Sequence, residues 1–199
     1  MKKIILICII LLFPTTILVS SKLTTNLLQD PGFENWTGND LTNWYSTVEY
    51  DGTISSSTEQ AMSGNSAKII RANTGSDPFI DQYGQSLTIS VDYTFTCWVY
   101  DNDANVKVRL RLYFEGNYDW SSYSTTKGEW QQLYVTVNAD QSSAQASIHI
   151  EREASTGGTV YVDDAELYQG SLNEFHYLPV TILIVTIFLF ITIKTIKKN

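Results

Sequence analysis

Val106 to Glu115 alternates without a break: Val106, Val108, Leu110, Leu112 and Phe114 are apolar, and Lys107, Arg109, Arg111, Tyr113 and Glu115 are not. An alternation of period two puts all the apolar side chains on one side of an extended strand, whereas a helix would scatter them around its axis. The same pattern recurs in Tyr93 to Tyr100, Gln132 to Val137 and Ser147 to Glu151, and a further strand is expected over Thr159 to Tyr168. Asp101-Asn102-Asp103-Ala104-Asn105 is turn-rich and reads as a hairpin loop joining the first two of these strands. Helical periodicity is nearly missing from the middle of the chain. Roughly seven to nine short strands over about 150 residues imply an all-β sandwich.

The ends differ in kind from this middle. Residues 1–21 place Lys2 and Lys3 before an apolar run, Ile4 to Phe13, and reach small residues at Ser20-Ser21. That order is expected of a secretory signal peptide, and an uncleaved N-terminal anchor is the alternative. Residues 175–193 are apolar and uncharged from Tyr177 onward, long enough for one transmembrane helix. Lys194, Lys197 and Lys198 follow in a basic tail, residues 194–199. The positive-inside rule then predicts a single-pass protein of the cell membrane with its N-terminal domain, residues 22–174, outside.

That domain holds eight basic residues against all 21 acidic ones, a net charge of −13. Nucleic acid and anionic membrane surfaces are poor partners for such a charge. Cys97 is its single cysteine and sits in a strand pattern, which predicts a buried thiol rather than a nucleophile.

Several segments in order carry a resemblance. These are Asn26-Leu27-Leu28-Gln29-Asp30-Pro31-Gly32-Phe33-Glu34, then Trp44, then Ala61 to Ile69, Tyr93 to Val99, Gly128 to Leu133 and Val160 to Leu167. Together they resemble the jelly-roll, galactose-binding-like carbohydrate-binding modules of families 4, 9 and 22. The resemblance implies a jelly-roll β-sandwich and a polysaccharide or glycan as partner. It also implies a structural Ca²⁺ with Glu34 and Asp163 as carboxylate ligands, helped by carbonyls near Gly64 to Ser66; Asp164 or Asp30 are substitutes. The other reading of these two acids is that they are simply solvated. Asp163 alternates with Tyr161, Ala165 and Leu167, which are expected to face the core, and a buried carboxylate needs a cation or several donors.

The polar side of the strands suggests where a ligand would lie. Trp98, Tyr100, Arg109, Arg111 and Tyr113 are expected on one outward sheet face. His149 and Glu151 lie on the equivalent face of a later strand, and Trp120 and Tyr123 wall its edge from the loop Gly116 to Ser124. Rings stack on the apolar faces of sugars, while Arg, Glu and His bond hydroxyls. Covering by a loop, or plain cross-strand pairing, would explain the same residues without a ligand. Trp36, Trp44 and Trp130 are read as packing residues.

Two positioned carboxylates for glycoside hydrolysis, a Ser-His-Asp order, a zinc signature and a phosphate loop are not evident. The expectation is therefore a non-catalytic carbohydrate-binding module displayed at the cell surface. The alternative is an adhesion or structural jelly roll that binds protein. Deletion of Leu178 to Asn199 should release a folded domain into the medium. Cell fractionation checks this, and retention in the membrane pellet would overturn the topology.

Overall fold

The computed structural model describes residues 25–47, 52–72, 77–115, 117–152 and 156–171. The expected signal peptide, transmembrane segment and basic tail lie outside these residues. Among the described residues no helix is long and apolar enough to cross a membrane.

The strands are β1 (Trp36–Thr37), β2 (Asp40–Leu41), β3 (Tyr45–Thr47), β4 (Thr53–Ser57), β5 (Ser66–Arg71) and β6 (Phe79–Ser86). They continue as β7 (Asp92–Asp101), β8 (Val106–Phe114), β9 (Asn117–Trp120), β10 (Trp130–Asn138), β11 (Ser143–Arg152) and β12 (Gly158–Gln169). Two five-stranded sheets result, ordered β10-β7-β12-β5-β4 and β3-β6-β11-β8-β9, with β1-β2 as a small separate ribbon. All pairings are antiparallel.

The alternation of β8 is realised in full. Val106, Val108, Leu110 and Leu112 are wholly buried. Its register against β11 and β9 carries no bulge. Opposite them, Phe95, Cys97 and Val99 of β7 and Val160, Val162, Ala165 and Leu167 of β12 close the core from the other sheet. Cys97 is buried and unoxidised, and burial raises its thiol well above the ordinary value.

Three expectations are corrected. First, β7 and β8 do not form a hairpin. They belong to different sheets, so Asp101 to Asn105 carries the chain across the sandwich. Asp101 anchors that crossing by accepting hydrogen bonds from Ser124 Oγ at 2.8 Å and Lys127 Nζ at 2.6 Å. Second, the segment after Gly116 is not all loop: Asn117–Trp120 is an edge strand on β8. Third, Tyr161 and Asp163 do not face the core. Pairing with β7 shifts between Asp163 and Glu166, where Asp164 takes a positive φ of 46°. That bulge reverses the parity: Val160 and Val162 point inward before it, Ala165 and Leu167 after it.

Leu112→Ala should cost about 2–5 kcal/mol of stability, as buried leucines do. Lys107→Ala, five positions away on the opposite parity, should stay within about 0.5 kcal/mol. Urea unfolding of both variants checks the assignment.

Candidate functional site

Residues in register across neighbouring strands share one face of a sheet. On the outer face of β3-β6-β11-β8-β9 the middle row runs Tyr45, Asp81, Ser147, Arg111, Trp120, one residue from each strand. One neighbouring row holds Thr47, Phe79, His149 and Arg109. The other holds Tyr83, Gln145, Tyr113 and Tyr118. Arg109, Arg111, Tyr113, Trp120, His149 and Glu151 thus come together as the sequence predicts.

Trp98 and Tyr100 do not join them. They lie on the outer face of the other sheet, in register with Asp163 and Tyr161 of β12. There Tyr100 packs edge-on against Trp130 and Tyr161, with centroids 5.6 and 6.0 Å apart. The single platform expected from parity is therefore two faces on opposite sides of the sandwich, because parity assigns a side within a strand but not the sheet that the strand joins. Trp44 is buried in the core and Trp36 packs against it. Trp130 packs on the outer face instead.

The face of Arg109 is built in layers. Its guanidinium lies 3.5 Å from the Trp120 ring and pairs with Glu151, whose second oxygen accepts the Tyr123 hydroxyl at 2.7 Å. Tyr123 is positioned by serines: Ser121 Oγ accepts from Leu110 N at 2.8 Å, and Ser124 Oγ accepts from Val108 N at 2.9 Å. Side-chain oxygens thus continue the β8 ladder beyond β9 and bring the ring over Lys107 at 4.0 Å. The His149 ring sits between Phe79, stacked at 5.1 Å, and Trp120, edge-on at 4.9 Å. Tyr45, Tyr83 and Tyr118 stand around this floor, each more than half exposed.

The floor is polar, buried and incompletely satisfied. Asp81 Oδ2 accepts from Gln145 Nε2, while Asp81 Oδ1, Arg111 Nε and His149 Nε2 have no hydrogen-bond partner. Burial raises the Asp81 carboxyl to about 6, against its bonds to Gln145 and Tyr83 and the field of Arg111. Burial lowers His149 to about 3, and the charges of Arg111 and Arg109 push the same way. Tyr45, Phe79, Asp81, Tyr83, Tyr118, Gln145 and Ser147 were not singled out in the sequence. Phe79, Asp81 and Tyr83 alternate, but against Ile80 and Gln82, and the polar Gln82 on the inward side hides the period.

The expected metal ligands occupy the opposite side. Asp163 is fully buried beneath the segment Met62 to Asn65: its Oδ2 accepts from Met62 N at 2.8 Å and its Oδ1 from Asp164 N at 2.8 Å. Glu34 accepts from Asn65 N at 2.9 Å and Asn65 Nδ2 at 2.8 Å. Gly64 has a φ of 56°, where an L side chain is strained, and a Cβ there would fall 2.0 Å from Glu34 Oε1, so any other residue would displace the Glu34 carboxylate from this loop. A Cβ at Gly32 would lie 3.9 Å from both Asp163 Oδ1 and Asp164 Oδ1 and 3.7 Å from Glu34 Cγ. The donor chemistry suits a hard cation. Among the described residues, however, no three carboxylate, imidazole or thiol groups converge into a ready metal cluster.

No family model matches the sequence, and no curated protein does. Solved structures do match. A family 61 carbohydrate-binding module in complex with β-1,4-galactotriose superposes with a TM-score of 0.58 at 17% identity, over 73% of this chain and 99% of that one. The fold is that of the jelly-roll carbohydrate-binding modules. The CBM22-1 xylan-binding domain from Paenibacillus barcinonensis Xyn10C matches with a TM-score of 0.54 at 13% identity, over 73% and 95% of the two chains. A family 4 module matches with a TM-score of 0.51 at 16% identity, over 72% and 99%. Families 4 and 22 are two of those the sequence motifs resemble.

The two perturbed groups oppose each other in acid. The unfolded chain protonates His149 near 6.5 and the folded one near 3, so stability from neutral His149 is full above 6.5 and is lost as pH falls. Asp81 holds its proton to about 6 when folded, against 3.8 unfolded, so its contribution is lost as pH rises through 6. Asp81→Asn should therefore steepen the rise of stability with pH between about 4 and 6, relative to the parent. His149→Gln should flatten or invert it. Urea unfolding across that range reads both.

Proposed function

We propose that this protein binds a polysaccharide or glycan on the outer face of the β3-β6-β11-β8-β9 sheet, without catalysis. One observation carries the reading: exposed tyrosines and Trp120 surround a buried floor whose Asp81, Arg111 and His149 each leave one polar atom without a partner. Sugar rings offer apolar faces to the aromatic groups and hydroxyls to the orphaned atoms, so one ligand class answers both. The likeness to modules described with galactotriose and xylan supports the same class. Arg109, Arg111, Tyr113, Trp120, His149 and Glu151 are the binding residues on this reading; Trp98 and Tyr100, facing away, are not.

The rest of the proposal is topological and structural. The apolar segment after Tyr177 anchors the protein in the cell membrane with the β-sandwich outside. A calcium ion ties Glu34 to Asp163 across Gly32, contributing to stability rather than to recognition. Asp163 is buried with Asp164 beside it, and the four ion pairs among the described residues supply it no cationic partner.

A glycan array probed with the protein identifies ligands, and calorimetry then measures them. Trp120→Ala should weaken binding by about 1–3 kcal/mol, as truncated interface anchors do. Trp98→Ala should leave it unchanged; equal losses in both would move the site. Calcium should raise Tm, by about 2.7 kcal/mol of stability at 100 times Kd. Glu34→Gln and Asp163→Asn should each blunt that shift, and identical melting curves with calcium and with chelator would remove the metal from the proposal.

A further inference from the structure

We propose that the glycan is anionic, its sugars bearing a carboxylate or a sulfate ester, and that Arg111 receives the acidic group. The inference rests on the sugar-binding reading of this face and specifies its ligand. Its starting point is charge segregation. The domain expected outside the membrane carries eight basic residues against 21 acidic ones. Yet β8 places Lys107, Arg109 and Arg111 at three successive outward positions, so one strand, beside the edge strand β9, gathers cations on the candidate face.

The acids of that face, Glu151, Asp81 and the exposed Glu115 at the end of the strand, form no ion pair with Lys107 or Arg111. Glu151 is engaged by Arg109 and by the Tyr123 hydroxyl. Asp81 is held by Gln145, and it is not among the ion pairs of the described residues. Arg111 and Lys107 are in none of those pairs either. Arg111 instead lies 5.5 Å from the centroids of both Trp120 and Tyr113, with one 3.4 Å hydrogen bond from Nη2 to Ser147 Oγ. Rings take the face of a guanidinium and leave its in-plane N–H groups to be satisfied. Arg111 Nε is buried and has no acceptor.

A neutral hydroxyl could accept from Nε but would add no countercharge to the attraction that Asp81 supplies without an ion pair. A carboxylate or sulfate takes two N–H groups at once and supplies the countercharge, and such bonds are about twice as strong as neutral ones. Burial keeps the neighbouring His149 neutral, and the charges of Arg111 and Arg109 act the same way, so the imidazole supplies no further cation.

The test compares chain-matched ligands on the full chain in detergent, by calorimetry: a neutral oligogalactoside, an oligogalacturonate and a sulfated oligogalactoside. At low ionic strength an acidic ligand should bind at least about tenfold tighter than the neutral one, and the margin should shrink as salt rises. Preference for the galacturonate assigns a carboxylate, and preference for the sulfated chain a sulfate ester. Arg111→Gln should bring acidic and neutral ligands to within about twofold, and Arg111→Lys should keep part of the preference. Circular dichroism confirms that both variants are folded, and the salt dependence of the parent needs no variant at all. Equal or tighter binding of the neutral ligand, lost on Trp120→Ala, would overturn the anionic ligand while leaving the sugar-binding face intact. Failure of all three to bind, alongside an array without hits, would remove both.

Discussion

Every outward residue of this domain is placed by what must go inward. Two sheets can exclude water only if each turns an unbroken apolar face to the other, and the pleat then sends the intervening residues to solvent. In β8 the constraint is at its strictest. Its inward residues are wholly buried, no bulge relaxes the register, and Lys107, Arg109, Arg111 and Tyr113 have one direction left. The same holds for Gln145, Ser147, His149 and Glu151 on β11, in register with them. A polar surface of that density must organise itself, and rings do much of it: Trp120 supports both arginines and Tyr123 supports Lys107 and Arg109.

This explains what could be read in the sequence. The side of each regular strand was legible, because parity is a local property and β8 and β11 obey it throughout. The partner of each strand was not. β7 and β8 are consecutive, alternate in the same manner and are joined by turn residues, yet they lie in opposite sheets. Strand pairing is decided by closure of the whole sandwich, and nothing in Asp101 to Asn105 distinguishes a hairpin from a crossing. Trp98 and Arg109 were therefore placed together, although the thickness of the sandwich, about 10 Å between sheets, separates them.

Parity also fails where an extra residue enters a strand. At Asp163–Glu166 the bulge turns Asp163 outward with Tyr161 and then restores Ala165 and Leu167 to the core. The sequence shows an acid among apolar neighbours, which alternation alone assigns to the interior. The structure buries it by another means: the segment carrying Met62 and Ser63 lies over the outer face and supplies amide donors. β6 shifts likewise against β11, because Gly84, at a φ of 79°, is the extra residue between Tyr83 and Gln85. That shift turns Gln85 inward opposite Ala144, while Gln145 lies on the face by the plain alternation of β11. The period of β6 is thus broken by an irregularity that alternation does not announce.

The arrangement of the floor bears on what holds Arg111 in place. Asp81 and Arg111 flank Ser147 in one row, so an ion pair between them would be the obvious way to stabilise the buried Asp81 and the half-buried Arg111. It is not among the ion pairs of the described residues. The Asp81 carboxyl stands above its ordinary value, at about 6, because burial outweighs its hydrogen bonds and the attraction of Arg111. The guanidinium lies instead near Trp120 of β9 and Tyr113 of its own strand. Three orphaned atoms remain on adjacent strands: Asp81 Oδ1 on β6, His149 Nε2 on β11 and Arg111 Nε on β8. An unmade buried hydrogen bond costs about 1–3 kcal/mol, so a surface shaped for stability alone would have paired these groups or replaced them with apolar ones. Keeping them unpaired beneath one outer face makes sense when the missing partner comes from outside the chain.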